Sequence, residues 1–253
     1  MRRMPIIAWM LLAGVSCTAP DFEQAVRQGR PLVIQIKGAI DRRLAESVDR
    51  QVRAAGPGCT AVIFEIDSPG GRLDVASDMS RTIGGLAPVR TIAFVSGWAL
   101  GSAALVAMST DSIYMSRRAV IGGAPLVIPG ADGRPVKLPP SVEEKFRSLA
   151  RAEFRAAADA KGHPIAVAEA IADETAGLKK VVYQRKEQYL TEHQIEAIRS
   201  SDGGEGSIKE IETVSPTGKV LVLTAEQAVR CGLARKVADD LGAILEAERH
   251  RAQ

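Results

Sequence analysis

TAVIFEIDSPGG, residues 60–71, is the stretch whose reading decides the fold. Thr60 to Asp67 is a near-continuous apolar run, the pattern of a parallel strand covered by helices on both faces. It stops at the turn Ser68-Pro69-Gly70-Gly71. Glycine at such a turn permits the positive φ that points a backbone N–H outward from the carboxyl edge of a sheet. Working outward, the same alternation recurs on both sides. Pro31 to Lys37 (PLVIQIK) reads as a strand, and Arg42 to Ala55 has helical spacing up to the stop Gly56-Pro57-Gly58. Downstream, Leu73 to Leu86 reads as a helix and Arg90 to Ser96 (RTIAFVS) as a strand. Ala103 to Thr110 is a buried helix of small and apolar residues, Ser112 to Met115 a strand, and Val120-Ile121-Gly122-Gly123 a turn. This order, with its β-β-α rhythm, predicts an α/β domain with a parallel sheet and flanking helices.

The second half is less regular. Gly130 to Pro140 is a Gly- and Pro-rich loop, and Val142 to Lys161 is a long amphipathic helix that stops at Gly162. Ile165 to Ala172 reads as another helix. Lys179 to Ser201 is highly charged and reads most simply as a solvated helix, followed by a polar loop at Ser201 to Gly206. Lys219 to Leu223 (KVLVL) is a strand, Thr224 caps a helix ending near Cys231-Gly232, and Ala234 to Val237 precedes a terminal helix.

Composition excludes several classes of function. A net charge of +3, with basic residues interleaved among acids, leaves no footprint for nucleic acid. An aromatic content of 4% argues against a base-stacking surface. The three cysteines and three histidines lie far apart and form no metal-type pair, and no cofactor motif is visible. With so few histidines, and those outside the motif core, a Ser-His-Asp arrangement is disfavoured; His163 and His250 flank helix ends and read as solvated. At the N-terminus, Arg2-Arg3 followed by the apolar Pro5 to Val15 reads as an export signal over residues 1–17, too short for a standard membrane span. Ala13-Gly14-Val15-Ser16-Cys17 is similar to a bacterial lipobox, so lipidation at Cys17 and plain cleavage both stand as readings. Cys59 and Cys231 could pair in an oxidising compartment or pack as buried thiols.

Three places could carry chemistry. The turn at Gly70-Gly71 can offer an N–H to an oxyanion, although Pro-Gly-Gly is also just a turn. In Gly97-Trp98-Ala99-Leu100-Gly101-Ser102-Ala103-Ala104, Ser102 opens a small-residue helix, where it reads either as a nucleophile favoured by the helix dipole or as an ordinary cap. Lys145 stands near the start of the long helix. A lysine serves as a general base only where burial lowers its pKa, and by itself Lys145 reads as a surface lysine.

Taken together these motifs resemble the ClpP/crotonase superfamily, and within it the NfeD and signal-peptide-peptidase-A type of Ser–Lys peptidase. Asp67-Ser68-Pro69-Gly70-Gly71 is similar to the oxyanion turn of that group. Val95 to Met115, with Asp111 to Tyr114, resembles its nucleophile strand–helix–strand, and Ala119 to Ala124 the segment that follows. Glu144-Lys145 through Gly162 resembles the NfeD helix that carries the base, and Leu223 to Ala228 with Gly232-Leu233 resembles the ending common in the superfamily. The resemblance runs over about residues 30–245. Only a charged insertion at about residues 179–216 goes unmatched. It implies a ClpP-like domain acting as an exported serine endopeptidase on membrane or envelope proteins or peptides. Ser102 would be the nucleophile, Lys145 the base, and Gly71 and Ala103 the oxyanion donors, with Gly70 shaping the turn. It further implies a homo-oligomer, periplasmic or membrane-anchored. The resemblance is ambiguous at one step. Counting forward from Ser96-Gly97 puts the family serine on Ser102; counting back from Asp111 puts it on Gly101. The second count implies a catalytically inactive peptide-binding module. The stretch is also similar to the oxyanion segment of crotonases, but Ala104 and Leu105 stand where those enzymes place carboxylates, which disfavours acyl-CoA chemistry.

Overall fold

The computed structural model describes residues 31–54, 59, 61–124, 139–201 and 208–251. The expected export signal, Cys17 and most of the Gly- and Pro-rich loop fall outside the described residues. The main sheet is parallel: β1 (Leu32–Lys37), β2 (Ala61–Ser68), β3 (Arg90–Leu100), β4 (Ser112–Met115) and β10 (Lys236–Val237) lie side by side in the order β1-β2-β3-β4-β10. Helices α1 (Arg42–Ala54), α2 (Leu73–Gly84) and α3 (Ser102–Met108) make the crossovers between the first four strands. That connectivity suits strands that are apolar on both faces.

One face of the sheet, with Ile34, Ile36, Phe64, Ile66 and Val95, packs under α1, α2, α3, α4 (Pro140–Lys161), α5 (Ile165–Ala172) and α7 (Ala225–Arg230). The other face, with Ile63, Ile92, Phe94 and Tyr114, is covered by Ile244 of α8 (Leu241–Arg251). Tyr114 is fully buried, and its hydroxyl donates to Glu248 Oε1 at 2.8 Å. Burial and that carboxylate push its pKa up to about 12. All seven residues of α3 are buried, which its small side chains allow.

β3 is longer than its sequence pattern suggests, because it serves two neighbours. Ile92 to Val95 pair with β4, and Trp98 to Leu100 pair with β5 (Val120–Gly122). Val120-Ile121-Gly122, expected as a turn, is therefore a strand. β9 (Val222–Thr224) lies antiparallel on its far side. Thr224 caps α7 as expected, and Gln227 completes a full capping box with it.

The charged segment after residue 178 is not one helix. β6 (Leu178–Tyr183) and β7 (Lys186–Leu190) form a hairpin, α6 (Glu192–Ser201) follows, and β8 (Ile208–Ser215) closes a separate antiparallel sheet of order β7-β6-β8. Val181, Ile195 and Ile208 give this sheet its own small core. The hairpin turns at Gln184 and Arg185, both with positive φ, where no Gly or Asn announces it.

Candidate functional site

Two turns meet at the carboxyl edge of the main sheet. The first follows β2. Ser68 Oγ donates to Gly38 O at 2.6 Å and accepts the Gly70 N–H at 3.1 Å. Gly70 has a φ of +94°, and a Cβ there would lie 2.6 Å from Leu100 O and 3.1 Å from Ser102 N. Only glycine allows this approach. Gly71 bridges to Ile40: the Ile40 N–H donates to Gly70 O at 2.9 Å, and the Arg72 N–H to Ile40 O at 3.0 Å. The exposed Gly71 contributes no N–H to that bridge, and its N–H has no partner among the described residues. A side chain at Gly71 would meet Ile40 first, with Ile40 O only 2.3 Å from the added Cβ.

The second turn joins β3 to α3. β3 takes four steps from Val95 to Ala99 where β2 takes two from Ile66 to Ser68, so it bulges between them. Asp67 Oδ1 accepts the Trp98 N–H in this bulge at 3.0 Å. At the end of the strand Gly101 adopts φ +57° and ψ −130°, a conformation that side-chain-bearing residues hold only under strain. Its N–H is shared between Gly122 O at 2.9 Å and Gly123 O at 3.1 Å. A Cβ at Gly101 would have only ordinary contacts, with Pro69 O at 3.6 Å, Gly70 Cα at 3.7 Å and Gly123 O at 3.9 Å. This is the geometry of a strand-to-helix elbow, where a strained residue projects its side chain out from the top of the sheet. The residue there is Gly101.

Ser102 is the first residue of α3 and is 7% exposed. Its Oγ is shielded from solvent and has no hydrogen-bond partner among the described residues. The N–H of buried Ala103 belongs to the first helical turn, where N–H groups have no intrahelical acceptor. Lys145 lies in the second turn of α4 and is exposed. No hydrogen bond or ion pair joins it to Ser102. Gly70, Gly71, Gly101, Ser102 and Ala103 are thus brought to one sheet edge, whereas Lys145 stands on a solvent-facing stretch of helix.

Other residues play unforeseen parts. His163, expected in solvent, is half-buried, and its Nε2 lies 2.8 Å from Thr110 O just past α3. A carbonyl can only accept, so Nε2 carries the proton. Burial lowers the His163 pKa, against smaller opposing effects of Thr110 and Asp111. Beside it Lys161 Nζ pairs with Asp111 at 2.8 Å, tying the end of α4 to the start of β4. Asp173 after α5 is buried and accepts from Arg151 and Thr175. Burial alone would raise its pKa, but the Thr175 backbone and hydroxyl and the Arg151 guanidinium overcome that and hold it low. Cys59 and Cys231 are free, buried thiols. Among the described residues no side-chain group has the makings of a metal site, and no helix is long and apolar enough to cross a membrane.

Fold and turns together define a ClpP-like protease fold. The chain belongs to the NfeD1b N-terminal domain family, which it matches over residues 31–214. That span takes in nearly all of the charged second sheet. The membrane protein NfeD1b of Bacillus subtilis (strain 168) is 25% identical over 236 residues, covering 93% of this chain and 44% of that protein. The chain therefore spans less than half the length of this relative. Among solved structures it is similar to the 1510-N membrane-bound stomatin-specific protease, in a Lys-to-Ala variant bound to a substrate peptide. The TM-score is 0.60 at 20% identity, over 85% of this chain and 78% of that one. A 1510-N membrane protease specific for a stomatin homolog from Pyrococcus horikoshii matches with a TM-score of 0.53 at 19% identity, over 86% and 77%. A ClpP1 mutant from Listeria monocytogenes matches with a TM-score of 0.52 at 12% identity, over 88% and 98%. At these identities the likeness is one of fold.

Proposed function

We propose that this chain is a peptide-binding domain with a ClpP-like cleft that holds an extended segment of a membrane or envelope protein without cutting it through a serine. The observation that carries the reading is Gly101, at φ +57° and ψ −130° on the elbow between β3 and α3, with space for a side chain and none present. A nucleophile needs an accessible hydroxyl held by a base. The Ser102 hydroxyl is shielded and unpartnered, and Lys145 is exposed. Binding needs less: the backbone donor at Gly71 has no partner among the described residues. The substrate peptide on a protein of the same fold supports a peptide as ligand. Export, with lipidation at Cys17 or plain cleavage of the signal, and homo-oligomer formation belong to the same proposal. The mature N-terminus from the native host, read by mass spectrometry, tests export and processing: an intact Met1 overturns both.

The central test is cleavage of an apolar peptide library by the purified full chain. Wild type, Ser102→Ala and Lys145→Ala are expected at one common background; turnover gained by Gly101→Ser would show that a base is within reach of the elbow and only the hydroxyl is missing. Cleavage by wild type that Ser102→Ala and Lys145→Ala both abolish would restore the Ser–Lys endopeptidase instead.

A further inference from the structure

We propose that Trp98 is the anchor of this cleft, taking a large apolar side chain of the bound peptide, and that Asp67 is the positioning residue that aims it. The inference rests on the peptide-binding reading above. Trp98 is 54% exposed although it lies within the sheet, three residues before Gly101 at the elbow. Cross-strand pairing aligns Trp98 with Val120, and Leu100 with Gly122 and Val222. Strand alternation then sends Ala99, Ile121 and Leu223 into the core and leaves Trp98, Leu100, Val120 and Val222 on the outer face. Val220 joins them: a Cβ on Gly123 would lie 3.2 Å from Val222 Cγ2, 3.7 Å from Leu100 Cδ2 and 3.9 Å from Val220 Cγ1. Val220 and Val222 are each 44% exposed, so this is a continuous apolar shelf ending at Gly101.

The shelf is fixed from beneath. The carboxylate of Asp67 accepts the Trp98 N–H and fills the space beside Gly97, where an added Cβ would fall 2.3 Å from Asp67 Oδ1. This holds open the bulge that turns Trp98 outward. An apolar shelf alone would suit any apolar partner. The N–H of exposed Gly71, which has no partner among the described residues and lies on the turn that packs against Leu100, narrows the choice. It calls for a free main-chain carbonyl, which an extended peptide has and a folded surface has already spent on its own structure.

The test uses the full chain carrying Trp9→Phe, which leaves Trp98 the only tryptophan. The probes are short unstructured peptides with adjacent Leu and Phe residues, and the same peptides with Ser in their place. The apolar probes are expected to shift Trp98 emission to the blue, saturably, and the Ser versions are not. By anisotropy of labelled probe, Trp98→Ala weakens binding roughly tenfold or more, while Trp98→Phe stays near wild type. Asp67→Ala weakens binding and loosens the Trp98 signal in the free protein, and Asp67→Asn, which keeps an acceptor oxygen, restores both. Undiminished probe binding in Trp98→Ala, with no blue shift when the apolar probes bind the chain that keeps Trp98, overturns the anchor while peptide binding stands. No binding of any probe to wild type overturns both. A blue shift that follows protein concentration, with doubled mass in sedimentation, makes a second copy the occupant and likewise overturns the proposal.

Discussion

The turns after β2 and β3 sit against each other at one sheet edge and are built in opposite ways. The β2 turn is almost closed in its hydrogen bonding: Ser68 ties Gly38 to Gly70, and Ile40 clamps Gly71 from both sides, leaving one outward N–H. The β3 turn has its backbone equally well held, through Gly122 and Gly123, but its side-chain chemistry is missing or hidden. Backbone geometry is enough to receive a peptide main chain, whereas attack on it needs a side chain at the elbow. The contrast teaches what the peptide-binding proposal rests on: backbone donors on one turn, and no exposed side-chain hydroxyl on the other.

The strongest way to break this comparison is Gly71→Val. Its Cβ would press on the main chain of Ile40, so the expected result is a loss of about 3 kcal/mol, read as a fall in Tm of about 6–12 °C. A folded variant at wild-type Tm would mean the clamp is loose. Next comes Gly101→Ala, where there is room but the backbone is strained. The expected loss is about 2 kcal/mol, or about 4–8 °C. If Ala is tolerated without loss, the elbow is not strained and the argument from Gly101 fails.

Ser102→Ala should move the other way. Removing a shielded, unpartnered hydroxyl is expected to stabilise the domain by about 1 kcal/mol, seen as a Tm raised by about 2–4 °C. Destabilisation would show that the hydroxyl has a partner in solution. The smallest effect concerns His163, which braces the far end of α3. Its folded pKa is depressed by burial, so its contribution is complete above the ordinary value of about 6.5 and is lost as pH falls through the folded pKa. Tm measured from pH 7 to 5 should therefore fall less steeply in His163→Gln than in wild type. Equal slopes would mean that other groups carry the pH dependence.

The parallel layers were legible because their signals are local. Ala61 to Asp67 is apolar on both faces, Ile165 to Ala172 is helical by spacing and small-residue content, and Thr224 announces a cap; each appears as expected. The second sheet was not legible. In LKKVVY only Leu178 and Val181 are fully buried, and lysines between them mask the strand as a solvated helix. Its hairpin turns on Gln184-Arg185, a pair without turn chemistry.

At the site, the sequence by itself determined the two glycine turns, their place at the carboxyl edge of a parallel sheet, and the choice of two residues for the elbow. Apolar runs and glycines act over a few neighbours, and neighbours are what a sequence records. Only the tertiary structure shows where the two stand, Gly101 on the elbow and Ser102 at the buried start of α3. Counting along β3 fails because the strand bulges between Val95 and Ala99, and the bulge is held by a hydrogen bond from Trp98 to Asp67, 31 residues away in the chain. A contact of that separation leaves no periodic trace, yet it sets which residue turns the corner into α3 and which is drawn inside.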